Sequence, residues 1–314
     1  MKEPVQFGSL ETAALPPLPL HLAIGMFDGV HRGHQAVIDA AVTAARRTGG
    51  QAAVLSFWPH PSVYFRADNP TRQIMTPASK ARMLGSRGIE AMITQNFTPE
   101  FARIPAEGFL PYLKQHLPQL AGIYVGDNWR FGRGRTGDAT LLASEGVKLG
   151  LVIVSVPRIT WQDGPISSTK IRELLAAGDI TTANELLGHT YTAEGVVQPG
   201  KQLGRTLGFP TLNLEWTPEL QPRHGVYVVQ VRGKQSAAPL PGVANYGLRP
   251  TVEHATAARL EVHVLGECPY GAGDELGVEF LRFLRPEMKF SGVEELRVQI
   301  GRDRTAACAD FSLR

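Results

Sequence analysis

The segment LAIGMFDGVHRGHQAVIDAAVTAA, Leu22 to Ala45, decides how the first half of the chain folds. An apolar run ends at Gly25, Asp28-Gly29 spells a turn, and Gly33 opens an amphipathic stretch. There, Val37, Ala41, Ala44 and Ala45 recur at helical spacing. A strand that turns into a helix through glycines suits an anion: glycine lets the backbone approach it, and the helix N-terminus supplies N–H groups and a positive dipole end. His31 and His34 flank that helix start. Imidazoles beside a triphosphate can donate hydrogen bonds to oxygens whose charge grows during phosphoryl or nucleotidyl transfer. Taken alone, HxGH also fits a loop whose histidines cap and solvate. A zinc site needs a third ligand, and no HExxH is present.

Outward from this segment, short apolar runs alternate with helix-period stretches up to about residue 185. The strands are HLAIG, AAVLSF (52–57), EAMITQNF, GIYVG and LVIVSV; the helices between them include SKARMLGSRG, EGFLPYLKQHL and TLLASEGVKLG. That rhythm predicts βαβ units, a Rossmann-like parallel sheet with flanking helices, and ligands bound beyond the carboxyl ends of the strands. Two short helices follow, STKIRELLAAG and DITTANELLG. From Tyr191 the texture becomes β-rich and punctuated by Gly and Pro: TAEGVVQ, HGVYVVQVRG, PLPGVANYG, ARLEVHVLG and LGVEFLRFLR. These predict a small antiparallel β-barrel, closed by a terminal helix in which Val293, Leu296, Ile300 and Ala307 recur. The expected organisation is two domains, 1–186 and 187–314.

The 314 residues carry a net charge of +3, far from the concentrated basic face of a nucleic-acid binder. Cys268 and Cys308 are the only cysteines and form no CxxC, which fits a reducing compartment. The N-terminal stretch has Glu3 and prolines at 16, 17 and 19 in place of a signal peptide's apolar core. No run reaches the roughly 18 apolar residues that span a bilayer. The expectation is a cytoplasmic monomer or weak homo-oligomer with no nucleic-acid or membrane partner.

Three further stretches belong to the ligand edge of the parallel sheet. ISSTKIRELL (166–175) puts Ser167, Ser168 and Thr169 at a helix start, followed by Lys170 and Arg172. This fits an N-cap and equally a clamp for a departing pyrophosphate. SFWPHPSVYF (56–65) holds His60 between two prolines, in a rigid turn or against a substrate. VGDNWRFGRGRTGD (125–138) contains a formal GxGxxG but no Asp or Glu about 20 residues on, so a dinucleotide site is not expected. Asn128, Trp129 and Arg130 suit a flat polar ligand instead, while Arg133 and Arg135 read as solvated.

In the β-rich half, GKQLGRTLGFPTLNLEW (200–216) spaces Gly200, Gly204 and Gly208 by four, with Lys201 and Arg205 between them. It is no Walker A loop, yet such backbone can wrap a phosphate; a β-turn before an ordinary strand fits as well. Thr211 and Asn213, two apart on a strand, share a face and offer hard oxygens suited to magnesium. In ARLEVHVLG, Leu260, Val262 and Val264 share one face, Glu261 and His263 the other. Glu261 is either a surface charge or a base for a hydroxyl attacking a γ-phosphate.

In their order, GMFDGVHRGH, SFWPHP, GDNWRFGRGRTGD and ISSTKIR resemble the N-terminal half of the bacterial bifunctional riboflavin kinase/FMN adenylyltransferases. LGFPTLNL, GVYVVQV, PGVANYGLRPTVE, LEVHVLG and LRPEMKFSGVEELRVQI resemble their kinase module. The likeness runs from about Leu22 to Ala307. It implies phosphorylation of riboflavin to FMN, then adenylylation of FMN to FAD with release of pyrophosphate, both with ATP and Mg²⁺. His31 and His34 match the nucleotidyltransferase histidines. Gly25, Phe27, Asp28, Gly33, Ser167, Ser168, Thr169 and Arg172 match the nucleotide and phosphate loops there, and Gly200, Lys201, Gly208 and Pro210 those of the kinase. Thr211 and Asn213 match Mg–ATP ligands and Glu261 the kinase base. His60, Asn128, Trp129 and Arg130 match the flavin side of the first module, and Arg285, Glu287 and Phe290 that of the second. The chain departs from the family pattern at Leu212, His189, Trp129 and Gly266–Pro269, the last bearing on the riboflavin-side loop. Two rivals are a nucleotidyltransferase with a merely regulatory barrel, and an RNA-binding protein with a synthetase-like HxGH; low charge and few stacking aromatics speak against the second.

Overall fold

The computed structural model describes residues 3–162, 164–200, 204, 208–233, 238–248 and 258–312. By contacts the chain divides into two compact units, Met1–Ser168 and Thr169–Arg314.

The first unit is a six-stranded parallel sheet. Its strands are β1 (Val5–Phe7), β2 (Leu20–Ile24), β3 (Gln51–Trp58), β4 (Ala91–Asn96), β5 (Leu120–Gly126) and β6 (Val152–Val156), in the order β1-β4-β3-β2-β5-β6. The connections carry α1 (Arg32–Thr48), α2 (Pro61–Phe65), α3 (Pro77–Ser86), α4 (Pro99–Ala102), α5 (Ala106–His116) and α6 (Ala139–Lys148). β2, β3 and β5 read as near-continuous apolar runs because helices cover both faces, and β2 is buried at every residue. One core lies against α5, around Leu22, Ile24, Leu55, Phe109, Leu110 and Ile123. The other lies against α1 and α3, around Ala23, Val37, Ile38, Val54, Leu84 and Met92. The chain winds outward through β2, β3 and β4, then returns to place β5 on the other side of β2. That reversal opens a crevice at the carboxyl ends of β2 and β5, the position where open α/β sheets bind ligands.

The second unit is a closed antiparallel barrel, in the order β10-β13-β12-β11-β14-β9. Its strands are β9 (Thr192–Gln198), β10 (Leu212–Glu215), β11 (Gly225–Gly233), β12 (Leu240–Leu248), β13 (Ala258–Val264) and β14 (Glu275–Arg285). A short hairpin, β7 (Thr160–Trp161) and β8 (Gly164–Pro165), precedes it, and α7 (Ser168–Ala177) and α8 (Ile180–Leu187) lead in. Tyr191, Trp216, Tyr227, Tyr246 and Phe280 fill the interior with tilted and edge-to-face contacts. The terminal helix, α9 (Val293–Asp310), packs Ala307 against the barrel beside Val228 and Leu265. Val293, expected on the apolar stripe, is 62% exposed. The inward stripe carries Asp303 instead, which accepts from Arg285 Nε and Nη2 at 2.9 and 2.7 Å and from Gln299 at 2.9 Å. A carboxylate thus replaces an apolar knob, and the pairing makes its burial tolerable.

Candidate active sites

The crevice of the first unit encloses about 290 Å³, lined by Gly25, His31, His34, Asn128, Ser167 and Ser168 among others. Its architecture begins with the turn after β2. Phe27 and Val30 both have positive φ, 50° and 38°, and Val30 is β-branched, so its conformation is a genuine outlier. Strain of this kind costs on the order of 1–3 kcal/mol per residue and persists only where neighbours over-determine it. Here they do. Asp28 accepts from the Ile74 and Met75 amides at 2.9 and 3.4 Å, Gln35 donates to the Val30 carbonyl at 2.9 Å, and Ser168 Oγ donates to the Asp28 carbonyl at 2.9 Å. Gly25 accommodates the Phe27 ring, which lies 3.2 Å from where a Cβ would be.

His31 is the N-cap of α1. Its Nδ1 accepts the His34 amide at 3.2 Å, so the proton of the neutral ring resides on Nε2. The His31 and His34 rings stack at 3.6 Å, and Phe27 meets His34 edge-on at 5.3 Å. His31 is only 5% exposed. The pair therefore presents stacked imidazoles and a helix N-terminus to one cavity. Gly33 keeps this close: a Cβ there would meet the His31 ring at 3.2 Å.

The other sequence candidates divide. Asn128 and Trp129 line the same cavity, Trp129 stacked on Phe131 at 4.7 Å and tilted against Phe109. Phe27 lines it while buried in the core. Asp28 and Arg130 do not line it: Asp28 is buried as the turn's anchor, and Arg130 is exposed, donating to the Trp129 carbonyl. His60, between two prolines, is the N-cap of α2, its Nδ1 accepting the Ser62 amide at 3.0 Å. It too is absent from the cavity wall. α7 begins at Ser168; Thr169 is exposed and Arg172 half-buried in the second unit. The formal GxGxxG is a packing device. A Cβ on Gly132 would strike Ala106, one on Gly137 the Phe131 ring, and Phe131 and Gly137 bridge across the turn. Tyr64 and Phe65 of α2 are exposed, meet each other edge-on and are absent from the cavity wall, and Phe65 also meets Phe97.

On the barrel, a cavity of about 320 Å³ is lined by Thr211, Asn213, Asn245, Glu261, His263, Arg285, Glu287 and Phe290, with Asp303 and Ile300 from α9. Strand register explains the grouping. Asn213 on β10 pairs with Glu261 on β13, which pairs with Asn245 on β12. Residues directly opposite in antiparallel strands share a face, so these three form a row across the sheet. Leu260, Val262 and Val264 alternate inward and are buried, leaving Glu261 and His263 on the cavity face. Gly200 packs against the Asn213 carboxamide, where a Cβ would collide. His263 Nδ1 contacts the Pro210 carbonyl at 2.9 Å and fixes the entry to β10. Gly208, at φ 83°, and Pro210 do not line the cavity; Lys201 and Arg205 lie outside the described residues. Asn245 is the residue that sequence reasoning missed, because only register reveals that it faces Glu261.

Among the described residues no cluster of three or more His, Cys, Asp or Glu forms a metal site. The side-chain oxygens of Thr211 and Asn213 nevertheless have the hardness that a magnesium ion carrying phosphate oxygens and waters prefers, and Glu261 lines the same cavity.

The parallel sheet offers a helix N-terminus at its switch point, and the barrel wall offers hard oxygens beside a carboxylate, two settings whose chemistry suits phosphate groups. The class is that of a two-site phosphate-transferring enzyme. Residues 17–170 match the family model for FAD synthetase, and residues 187–311 that for riboflavin kinase. Bifunctional riboflavin kinase/FMN adenylyltransferases are 37% identical in Escherichia coli (strain K12), covering 93% of each chain. They are 35% identical in Listeria monocytogenes, covering 93% of this chain and 92% of that one. The chain belongs to the bifunctional riboflavin kinase/FMN adenylyltransferase family. A crystal structure described as a macrolide-efflux protein from Streptococcus pneumoniae shares the fold at TM-score 0.87 and 27% identity, covering 98% of this chain and 99% of that one. Among the described residues no helix is long and apolar enough to cross a membrane.

Proposed function

We propose that the two cavities are the two active sites of this transferase: riboflavin is phosphorylated on the barrel and FMN adenylylated in the crevice of the parallel sheet, with ATP and Mg²⁺ in each. The observation that carries this reading is that each family model covers one cavity with its motif residues. The FAD synthetase match spans His31, His34 and Asn128, and the riboflavin kinase match spans Thr211, Asn213 and Glu261. On this reading the domains divide at 186/187.

On the barrel, Glu261 takes the proton of the riboflavin 5′-hydroxyl as its oxygen attacks the γ-phosphorus of ATP and ADP departs. Thr211 and Asn213 hold the magnesium–nucleotide complex; the ion supplies charge neutralisation across the phosphates. Arg285, Glu287 and Phe290 take the flavin side. In the crevice, a phosphate oxygen of FMN attacks the α-phosphorus of ATP and pyrophosphate leaves. The nucleophile is already an anion, so no enzymic base is required. His31 Nε2–H and His34 donate to the phosphate oxygens as charge builds, and the N-terminus of α1 adds backbone amides. Ser167 and Ser168 receive the departing pyrophosphate, and Asn128 and Trp129 hold the flavin.

A cytoplasmic location and a monomeric or weakly associating chain, without nucleic-acid or membrane partners, belong to the same proposal; the net charge of +3 supports the expectation of no nucleic-acid partner.

Complementation tests the two-site reading. Glu261→Gln is expected to turn FMN into FAD but leave riboflavin unphosphorylated, and His31→Asn to do the reverse. A mixture of the two variants then makes FAD from riboflavin. Loss of both activities in either single variant would refute the division of labour.

A further inference from the structure

Lysine is almost never fully buried without a partner, yet Lys80 on α3 is 6% exposed. Its Nζ donates to Ser56 Oγ at 3.1 Å and to the Met26 carbonyl at 3.3 Å. Ser56 Oγ in turn donates to the same Met26 carbonyl at 3.2 Å. Met26 opens the strained turn that carries Phe27, Val30 and then His31. Lys80 does not line the cavity, so it has no direct route to a ligand there. Taking an ammonium out of water carries a desolvation cost that an apolar residue would avoid, so packing alone does not account for a lysine at this place. Burial lowers its pKa, and the facing Asp28 carboxylate opposes that shift.

From this geometry we infer that Lys80 is a positioning residue for adenylyl transfer: with Ser56 it clamps the Met26 carbonyl and thereby holds the strained turn, and His31 with it, in register with the reacting phosphate. The inference rests on the proposed role of the first cavity. The clamp has two donors on one acceptor, fixing the start of the turn. Asp28 and Gln35 fix its middle and end through the Ile74 amide and the Val30 carbonyl. Displacing a catalytic donor by about 1 Å can cost on the order of 100-fold in rate.

Lys80→Met keeps the length and removes the ammonium. In the full chain, kcat for FMN adenylylation is expected to fall about 10- to 100-fold. The KM for ATP should move less than threefold and riboflavin phosphorylation should be unchanged, while the thermal midpoint should fall, because the buried Asp28 carboxylate loses the cation that faces it. Lys80→Arg, which keeps two donors, should recover part of the rate. Wild-type kcat in a folded Lys80→Met chain would overturn the inference. So would a loss of rate that vanishes at temperatures where the variant is fully folded, since that is stability alone. Should Lys80→Met fail to fold, Ser56→Ala removes the relay hydroxyl alone: a reduced kcat supports the clamp, and an unchanged one overturns it. A wild-type chain that does not adenylylate FMN would instead strike at the proposed function.

Discussion

His31 has two jobs that substitution can separate. As the N-cap of α1 its Nδ1 accepts the His34 amide at 3.2 Å. Losing such a cap costs about 1 kcal/mol. For a unit of 168 residues that corresponds to roughly 2–4 °C in thermal midpoint. As a donor through Nε2–H, its removal forfeits stabilisation of charge developing on the α-phosphate. Removing one such donor costs on the order of 10²–10³ in kcat, or about 2.7–4 kcal/mol. Asparagine is an excellent N-cap but is too short to place a donor where Nε2 reaches. His31→Asn should therefore melt within about 1 °C of the parent, well inside the cap's cost, yet lose the full factor in rate. His31→Ala should lose both. Steady-state adenylylation at varied ATP, beside thermal melts of both variants, reads the two quantities. Near-parental kcat in His31→Asn would show the cap to be the whole role. A loss confined to the KM for ATP would place His31 in ground-state binding instead.

Other consequences follow from the same geometry. Thr211→Val keeps the shape but removes a ligand oxygen; the KM for Mg–ATP in riboflavin phosphorylation should rise about tenfold, or 1.4 kcal/mol, with adenylylation unchanged. Asp303→Ala strands the Arg285 guanidinium, only 17% exposed at its side chain, and should destabilise the barrel by about 3 kcal/mol in denaturant. Asp303→Asn should cost less, since its carboxamide oxygen still accepts. The Tyr112 hydroxyl donates to Glu11 at 2.5 Å and is the chief reason the Glu11 carboxyl lies at about 2. A depressed carboxyl pKa stabilises the fold above the unfolded value near 4.5 and loses that effect as pH falls through about 2. Tyr112→Phe should therefore melt lower than the parent at pH 7, with the gap closing between pH 4.5 and 2.

Periodicity made most elements legible: β9 occupies the expected TAEGVVQ, and α1, α5 and α6 begin and end within about two residues of their patterns. What periodicity cannot carry is long-range order. β1 has three residues and an edge position, too short for an alternating signal, and the β2–β5 neighbourhood arises from a crossover over α4 and α5. Prolines misled locally: PHPSVYF reads as a rigid loop, whereas proline at the first helical position starts α2 and makes His60 a cap. The facing of Asn213, Glu261 and Asn245 depends on register between strands far apart in sequence. That is why type and spacing left Thr211, Asn213 and Glu261 as open candidates, singled out by family resemblance, while nothing in the sequence singled out Asn245. Lys80 was invisible for the opposite reason: a lysine in a short helix reads as surface.

On two sites, one chain is expected to carry riboflavin through FMN to FAD. The most direct measurement is a time course of the purified protein with riboflavin, ATP and Mg²⁺, the flavins being separated by chromatography. FMN should appear first and FAD after a lag, with pyrophosphate accumulating in step with FAD. FAD from supplied FMN but no turnover of riboflavin would contradict the role given to the barrel, and no turnover of either flavin would contradict the account as a whole.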